Sequence, residues 1–237
     1  MKLFCFSDCH GFADELIKSF DKVGFDKNNP NHLLLGLGDY TDRGSQPFEV
    51  IQYLKGIKNK CLIIGNHEEL LLQCIDRGEY LTYDIGNGTA HTIYDLAKHY
   101  VDYEPDFQEA CSLIEKPIKH FINGMVNYFE TEKYIFVHGF LPKGKDWRYA
   151  SEDKWEDARW KNGIAETLNG NNTTEKTIVM GHFHTSWARH IINGEPEWGD
   201  EANFDSFYGE NFIAIDGCTA YSNKVNILVL EDNLLTK

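Results

Sequence analysis

The chain has 237 residues, of which 42% are hydrophobic and 25% are charged, and its formal net charge is −14. This length suits one large domain with a buried core, and no apolar run approaches the ~18 residues that a membrane span needs. An acidic surface repels polyanions, so we expect no nucleic-acid partner and no membrane partner.

The N-terminal third of the chain predicts one unit, strand–loop–helix, three times in succession. The units are strand 2–6, loop 7–11 and helix 12–20; strand 32–37, loop 38–44 and helix 48–54; and strand 60–64, loop 65–68 and helix 69–75. Such repeats imply parallel strands joined by right-handed crossovers. The first strand is interrupted by Ser7-Asp8 too early to be a signal peptide, so we expect a cytoplasmic location.

The middle of the chain, roughly 86–122, has no strand pattern and predicts helices at 89–100 and 106–120. Strands then dominate, and a helix-like stretch at 151–162 interrupts them. The predicted strands are 125–129, 134–137, 177–180, 212–215 and 225–230. We interpret the whole chain, 1–237, as a single α/β domain with a helical insertion.

The six cysteines, at positions 5, 9, 61, 74, 111 and 218, show no paired spacing such as Cys-x-x-Cys. Most have apolar neighbours, which favours buried, reduced thiols in a cytosolic protein. We expect neither disulfides nor a thiolate metal site. The five tryptophans, at 147, 155, 160, 187 and 198, are expected in the core or in the walls of a cleft.

Polar residues suited to metals or phosphate follow five of the predicted strands. These segments are Asp8-x-His10, Gly38-Asp39-x-x-Asp42-Arg43-Gly44, Gly65-Asn66-His67-Glu68, His138-Gly139 and Gly181-His182-x-His184. Taken singly, each also fits an ordinary turn or a hydrogen-bonded histidine. Five in order are improbable by chance, and open α/β sheets bind ligands beyond the carboxyl ends of their strands.

The ordered set of motifs resembles that of the calcineurin-like metallophosphoesterases. The Gly38–Gly44 and Gly65–Glu68 segments look like the branch that holds the bacterial and phage-type Ser/Thr protein phosphatases and the diadenosine tetraphosphatases. The resemblance implies a four-layer αββα sandwich, with two mixed sheets flanked by helices. It also implies hydrolysis of phosphomonoesters by direct attack of a metal-bound hydroxide at two divalent ions, with manganese preferred and iron or zinc as alternatives.

The same resemblance assigns the metal ligands. Asp8 and His10 hold the first metal, Asp39 bridges both, and the second is held by Asn66, His138 and His182. His184 matches a further ligand of the first metal in the wider superfamily, although protein phosphatases usually lack a histidine there. The alternative for His184 is a hydrogen bond within its own loop.

The resemblance also assigns the catalytic groups. His67 would protonate the leaving oxygen, and Asp42 would orient its imidazole; the alternative makes Asp42 only a partner of Arg43. Arg43 would bind phosphate through its fork of donors.

A second phosphate arginine is expected between His138 and His182, where Arg148 and Arg159 are the candidates. We prefer Arg159, because Ala158-Arg159-Trp160 resembles a Trp-and-Arg segment of related phosphatases. Otherwise Arg159 would pair with Glu156 or Asp157 on a surface helix.

Three functions compete. A Ser/Thr protein phosphatase is favoured over a symmetrical bis(5′-nucleosyl)-tetraphosphatase, because the acidic surface penalises long polyanions. The Gly139-Phe140 pair after His138 matches neither branch. A non-catalytic interaction module, the third alternative, is disfavoured by the complete set of ligands and acid. The expected partner is therefore a phosphorylated protein or a small phosphoester.

Overall fold

A computed structural model of the protein describes residues 1–233. Its strands are β1 (Lys2–Phe6), β2 (His32–Gly36), β3 (Lys60–Leu62), β4 (Phe129–Glu130), β5 (Tyr134–Phe136), β6 (Thr177–Met180), β7 (Phe207–Tyr208), β8 (Phe212–Ala214) and β9 (Leu228–Glu231). Its α-helices are α1 (Ala13–Lys22), α2 (Pro47–Lys55), α3 (Asn66–Arg77), α4 (Thr82–Asn87), α5 (Thr89–Ala97), α6 (Phe107–Ile122), α7 (Glu152–Arg159), α8 (Gly163–Leu168), α9 (Thr185–Asn193) and α10 (Thr219–Ser222). A short 3-10 helix spans Trp147–Tyr149.

The strands form two mixed sheets. The first has the order β3-β2-β1-β9, in which β9 alone runs antiparallel to its neighbour. The second has the order β4-β5-β6-β8-β7, with a parallel centre and antiparallel edges. The repeated strand–loop–helix units of the N-terminal third thus give three adjacent parallel strands, as predicted.

Apolar residues on the facing sides of the two sheets form the central core of the protein. Cys5 and Leu35 of the first sheet share this core with Phe136 and Val179 of the second. The opposite face of the first sheet packs against α1, α2, α3, α5 and α6, and that of the second against α7, α8 and α9. The predicted four-layer αββα sandwich is confirmed.

Helices α5 and α6 occupy the region predicted as a helical insertion. Ile93 of α5 and Ile114 of α6 are fully buried and belong to the same core as Phe4 and Phe6 of β1. This region therefore contributes to the outer layer of the first sheet, and its helices contact α3 as well as each other.

Several predicted boundaries shift. Of the predicted strand 125–129, only Phe129 lies in a strand, β4, since Val126 makes just an isolated bridge to Ile63. The last strand begins at Leu228, and the stretch before it follows the left-handed Asn223 in an extended loop. The sequence did not lead us to predict β7 or the helices α4, α8, α9 and α10. Of these, β7, α4, α8 and α10 have six residues or fewer, too few for a periodic pattern. Helix α9 has nine residues and an amphipathic pattern that the prediction overlooked.

The two sheets meet at the carboxyl ends of their parallel strands. The Nδ1 atom of His138, after β5, lies 2.7 Å from the carbonyl oxygen of Leu37, after β2. A side chain at Gly38 would collide with His138 and with Gly65, so only glycine permits this approach. The loops that follow β1, β2, β3, β5 and β6 therefore converge on one edge. No helix in residues 1–233 has both the length and the apolarity to cross a membrane.

Candidate active site and metal centre

Asp39 lies at the centre of a cluster of predicted site residues. One group of ligand atoms, from His10, Asp39 and His67, lies within 4.8 Å of one another, and so does a second group from Asp39, His138 and His182. Asp39 Oδ2 is 3.8 Å from His10 Nε2, and Asp39 Oδ1 is 3.3 Å from His138 Nε2. The two carboxylate oxygens of Asp39 thus face two different groups.

Hydrogen bonds to the backbone orient the imidazoles of His10 and His138. The Nδ1 atom of His10 is 3.1 Å from the carbonyl oxygen of Thr41, and Nδ1 of His138 contacts Leu37 in the same way. Each Nδ1 therefore carries the proton, and each Nε2 points into the cluster. Histidines that bind metals are held in this manner.

Electron-pair donors converge around His138. Its Nε2 atom is 2.8 Å from Asn66 Oδ1 as well as 3.3 Å from Asp39 Oδ1. The Asn66 oxygen, the Asp39 oxygen and the His138 nitrogen all offer electron pairs, so a positive charge is needed between them. Burial opposes protonation, yet the charge and hydrogen bond of Asp39 raise the pKa of His138 to about 10. This point of the protein therefore favours a cation.

Asp8 connects the first sheet to the second. Its Oδ1 atom is 3.9 Å from His10 Nε2, and its Oδ2 atom accepts hydrogen bonds from the backbone N–H of His182, at 2.9 Å, and from the hydroxyl of Ser7. Burial raises the pKa of the Asp8 carboxyl to about 7, and the nearby Asp39 charge contributes. A carboxylate in this position is stabilised by an added cation.

The backbone of the site is held in an unusual conformation. Eight non-glycine residues of the described chain have positive φ angles, and six of them are predicted site residues, namely Asp8, His10, Asp39, Asp42, Arg43 and His182. Each costs about 1–3 kcal/mol when the surroundings enforce it. Such strain concentrates where side chains must be aimed at one point.

Glu68 supports this backbone. Its buried carboxylate accepts hydrogen bonds of 2.9 Å from the backbone N–H groups of Asp39, Tyr40 and Gly65. It therefore joins the loop after β2 to the start of α3 and fixes the left-handed turn at Asp39. Glu68 belongs to one of the predicted motifs, but the sequence did not predict this role for it.

His67 and Asp42 form a buried pair. The His67 Nδ1 atom is 2.7 Å from Asp42 Oδ2, which also accepts a 2.7 Å hydrogen bond from the hydroxyl of Thr89. The backbone N–H of Asp42 donates to the hydroxyl of Thr92 at 3.0 Å. Burial lowers the pKa of His67, but the charges of Asp39 and Asp42 outweigh it and leave that pKa above 6.5. Helix α5, through two threonines missed in the sequence, positions Asp42.

The exposed Arg43 contacts the imidazoles of His10 and His67. Its Nη1 atom is 2.9 Å from His10 Nε2, and its Nη2 atom is 3.0 Å from His67 Nε2. The guanidinium therefore presents its fork of donors at the mouth of the cluster. This is the position that a phosphate-binding group would take.

The guanidinium groups of Arg159 and Arg148 pair with carboxylates in this structure, and the backbone of Arg159 packs against Gly139, next to His138. Arg159 ends α7, is 3% exposed, and pairs with Glu69 and Glu152; its Nη2 atom is also 2.5 Å from Asn127 Oδ1. Its partners are thus not Glu156 and Asp157. Arg148 pairs with Glu130 at 2.5 Å and lies over the Trp147 ring. Each guanidinium must leave a carboxylate before it can bind phosphate.

His184 also lies outside the two groups of ligand atoms. It caps helix α9, with Nδ1 2.8 Å from the hydroxyl of Ser186 and Nε2 3.5 Å from Glu197. Both ring nitrogens therefore have partners, one in α9 and one in the loop that follows it. A role as a metal ligand requires one of the two nitrogens to be freed from its partner.

The residues present fit a pair of divalent cations. Carboxylate, imidazole and amide oxygen donors suit manganese, iron or zinc, and the two groups share Asp39. All six cysteines are free thiols and none belongs to either group. A cavity of about 690 Å³ between loop 140–148 and loop 171–176 is lined by none of these residues.

Comparison with known proteins identifies the family. The sequence profile of the family described as calcineurin-like phosphoesterase matches residues 1–216. The chain belongs to the calcineurin-like phosphoesterases. The family is described by its phosphoesterase activity, and membership implies divalent metal ions.

Individual relatives are more distant. Over 139 residues, 56% of the chain, it is 32% identical to the Serine/threonine-protein phosphatase 2B catalytic subunit A2 of Saccharomyces cerevisiae, and the match spans 18% of that protein. A crystal structure provisionally assigned as a diadenosine tetraphosphatase matches 97% of the chain and 89% of its own length, with 15% identity and a TM-score of 0.58. The cold-active protein-tyrosine phosphatase of a psychrophilic Shewanella matches 98% of the chain and 76% of its own length, with 17% identity and a TM-score of 0.58. These structures share the fold.

Proposed function

We propose that the protein is a dinuclear-metal phosphomonoesterase that acts on phosphoserine or phosphothreonine in proteins. The observation that supports the dinuclear site most directly is the geometry of Asp39, whose two oxygens face separate groups of ligands. Two cations sharing one carboxylate would lie a few ångströms apart, the spacing that two-metal hydrolases use.

The proposed ligands divide between the two positions. The first cation takes Asp8 and His10, the second takes Asn66, His138 and His182, and Asp39 contacts both. His184 is a further candidate for the first cation, on condition that one of its ring nitrogens leaves Ser186 or Glu197. When bound, two such cations supply Lewis acidity and activate water for attack on phosphorus.

His67 is the proposed general acid. Burial lowers the pKa of His67, but the charges of Asp39 and Asp42 outweigh this effect, which favours the protonated imidazole that a general acid needs. Its Nε2 atom faces the mouth of the cluster beside Arg43. Arg43 Nη2 donates to His67 Nε2 in this structure, so a substrate phosphate that draws Arg43 away would free Nε2 to carry a proton next to the leaving oxygen.

Arg43 and Arg159 are the proposed phosphate-binding arginines. Arg43 already contacts the cluster. Burial lowers the pKa of Arg159 to about 10, so it stays charged at neutral pH, and a phosphate would compete with Glu152 for it.

The preference for a phosphoprotein rests on charge and on the sequence relative. The net charge of −14 disfavours a substrate with about four negative charges more than it disfavours a single phosphate dianion. The 32% identical relative is named as a Ser/Thr protein phosphatase. The alternative, a bis(5′-nucleosyl)-tetraphosphatase, is supported by a structure at 15% identity, which carries the fold alone.

The test is a comparison of kcat/KM for a basic phosphothreonine peptide and for diadenosine tetraphosphate, at matched ionic strength and with saturating Mn²⁺. We expect the peptide to be preferred. A preference for the dinucleotide of more than about tenfold, equal to ~1.4 kcal/mol of transition-state binding, would contradict the proposal.

A further inference from the structure

Four aromatic rings form a cluster beside the site, which we call the aromatic platform: Trp198, Tyr221, Phe204 and His184. The Trp198 ring lies 4.6 Å from that of His184 and 5.1 Å from that of Tyr221. Phe204 is buried beneath them, 5.6 Å from Tyr221. Trp198 is nevertheless 49% exposed and Tyr221 52% exposed, so the two rings present a face to solvent.

The platform is fixed to the proposed metal centre at two points. His184 follows the proposed ligand His182 by two residues. On the other side, the hydroxyl of Thr219, at the start of the helix that carries Tyr221, donates a 2.8 Å hydrogen bond to the carbonyl oxygen of Asp8. The platform therefore borders the metal centre directly.

Internal hydrogen bonds hold the platform in place. The Tyr221 hydroxyl accepts a 3.1 Å hydrogen bond from the backbone N–H of Gly199, next to Trp198. The side chain of Asn226 donates to the carbonyl oxygens of Phe204 and Ile215, at 2.7 and 3.2 Å. The exposed rings are thus ordered in position before any substrate arrives.

The segment that carries Trp198 is acidic, with five carboxylates between positions 195 and 205. Glu195 lies 3.9 Å from Arg189, and Asp205 pairs with Lys224. The other three, Glu197, Asp200 and Glu201, face no lysine or arginine within 4.0 Å in the described part of the chain. Among the ionisable groups of the described chain, Glu197 pairs only with His184, which belongs to the platform. In the described part of the chain, therefore, no lysine or arginine neutralises these three carboxylates, which lie within three positions of Trp198 in the sequence.

We propose that the aromatic platform is a specificity subsite that binds a basic side chain of the phosphoprotein substrate, an inference that rests on the function proposed above. A guanidinium or ammonium group over the Trp198 ring gains a cation–π interaction and lies near the Glu197 carboxylate. A nucleobase would also stack on Trp198, but its attached phosphates would be repelled by the three unpaired carboxylates.

The proposal predicts a sequence preference. Because the platform adjoins His182, the basic residue must lie within a few positions of the phosphorylated one. An arginine is expected to bind better than a lysine, since its planar group both stacks on the ring and offers paired donors to a carboxylate.

The test uses phosphothreonine peptides that differ only in carrying arginine or glutamine at one position, with that position moved along the peptide. The measured quantity is the ratio of kcat/KM for the arginine peptide to that for the glutamine peptide. At the best position we expect a ratio of about 10 in the wild type, within the range of a partly desolvated cation–π contact. Trp198→Ala and Glu197→Gln should each lower the ratio to about 2. Because the ratio compares two peptides on the same variant, any general loss of activity cancels.

Matched controls are available. Tyr208→Ala removes an exposed ring that is not part of the platform, and Glu210→Gln removes an exposed carboxylate; both should keep the wild-type ratio. Glu197→Gln retains the packing of the platform, so it guards against a structural effect of Trp198→Ala.

Three results would overturn the inference. One is a ratio near 1 in the wild type, or an equal ratio in the wild type and both platform variants, while the phosphopeptides are still hydrolysed. Another is that Trp198→Ala slows hydrolysis of diadenosine tetraphosphate and leaves the peptide ratio unchanged, which would assign the platform to a nucleobase. The third is that p-nitrophenyl phosphate is hydrolysed but no phosphothreonine peptide is, which would overturn the proposed function as well.

Discussion

The metal centre and the aromatic platform are neighbours, but they are built in different ways. In the centre, Asp39 and His138 are buried, and left-handed turns at the ends of strands aim the side chains inward. In the platform, Trp198 and Tyr221 are about half exposed and belong to a loop and a short helix. The centre carries the chemistry shared by any phosphoester, whereas the platform can distinguish one substrate from another. Substitutions in the metal centre should therefore affect hydrolysis of all substrates, and substitutions in the aromatic platform should affect hydrolysis of only some.

The largest effect is expected for Asp39→Asn. Loss of the shared charge should weaken both proposed metal positions and lower kcat/KM for every phosphomonoester by a factor on the order of 10³ or more, about 4 kcal/mol. Far-ultraviolet circular dichroism should stay unchanged, because asparagine fills the same volume. Activity within tenfold of the wild type, measured with p-nitrophenyl phosphate and saturating Mn²⁺, would contradict the bridging role.

The next effect distinguishes leaving groups. His67→Ala should lower turnover of a phosphothreonine peptide about 10²–10⁴-fold, since its alkoxide needs a proton to depart. Turnover of p-nitrophenyl phosphate, whose leaving group needs none, should fall far less. Equal losses for the two substrates would show that His67 positions the phosphate and does not act as an acid.

A smaller effect is expected for Glu68→Gln, which tests the support of the strained backbone. An amide nitrogen would face one of three buried backbone N–H donors, which costs about 1–3 kcal/mol of stability. The free energy of unfolding should fall by this amount, and more Mn²⁺ should be needed for half-maximal activity. Glu210→Gln, an exposed control, should change neither quantity; unchanged stability in Glu68→Gln would refute the supporting role.

The smallest effect concerns Arg159. If Arg159 must leave Glu152 to bind phosphate, Glu152→Gln should lower KM about two- to threefold with kcat retained. The Arg159→Ala variant should show no such gain when Glu152→Gln is added to it. An equal gain with and without Arg159 would mean that the carboxylate acts on substrate through its charge alone.

The parts of the protein that could be predicted from the sequence are those set by local pattern. The strands that precede Asp8, Asp39 and His138 were recognisable as apolar runs followed by polar turns, and their shared edge follows from sheet topology. The αββα class followed from the family resemblance and is confirmed.

The remaining features depend on contacts between distant segments. Thr89 reaches Asp42 across 47 residues, and Thr219 reaches Asp8 across 211. Likewise, the pairing of Arg159 with Glu69 depends on how α7, which packs on the second sheet, meets α3, which packs on the first. No spacing rule in the sequence encodes such contacts, so they appear only in the folded structure.

The most direct test of the dinuclear site is the number of divalent ions bound per chain. After equilibrium dialysis against Mn²⁺, elemental analysis should find two ions per chain in the wild type and a large loss from both positions in Asp39→Asn, with hydrolysis of p-nitrophenyl phosphate abolished by a chelator and restored by Mn²⁺. Binding of a single ion by the fully active wild type, or full activity after all metal has been removed, would contradict the two-metal account.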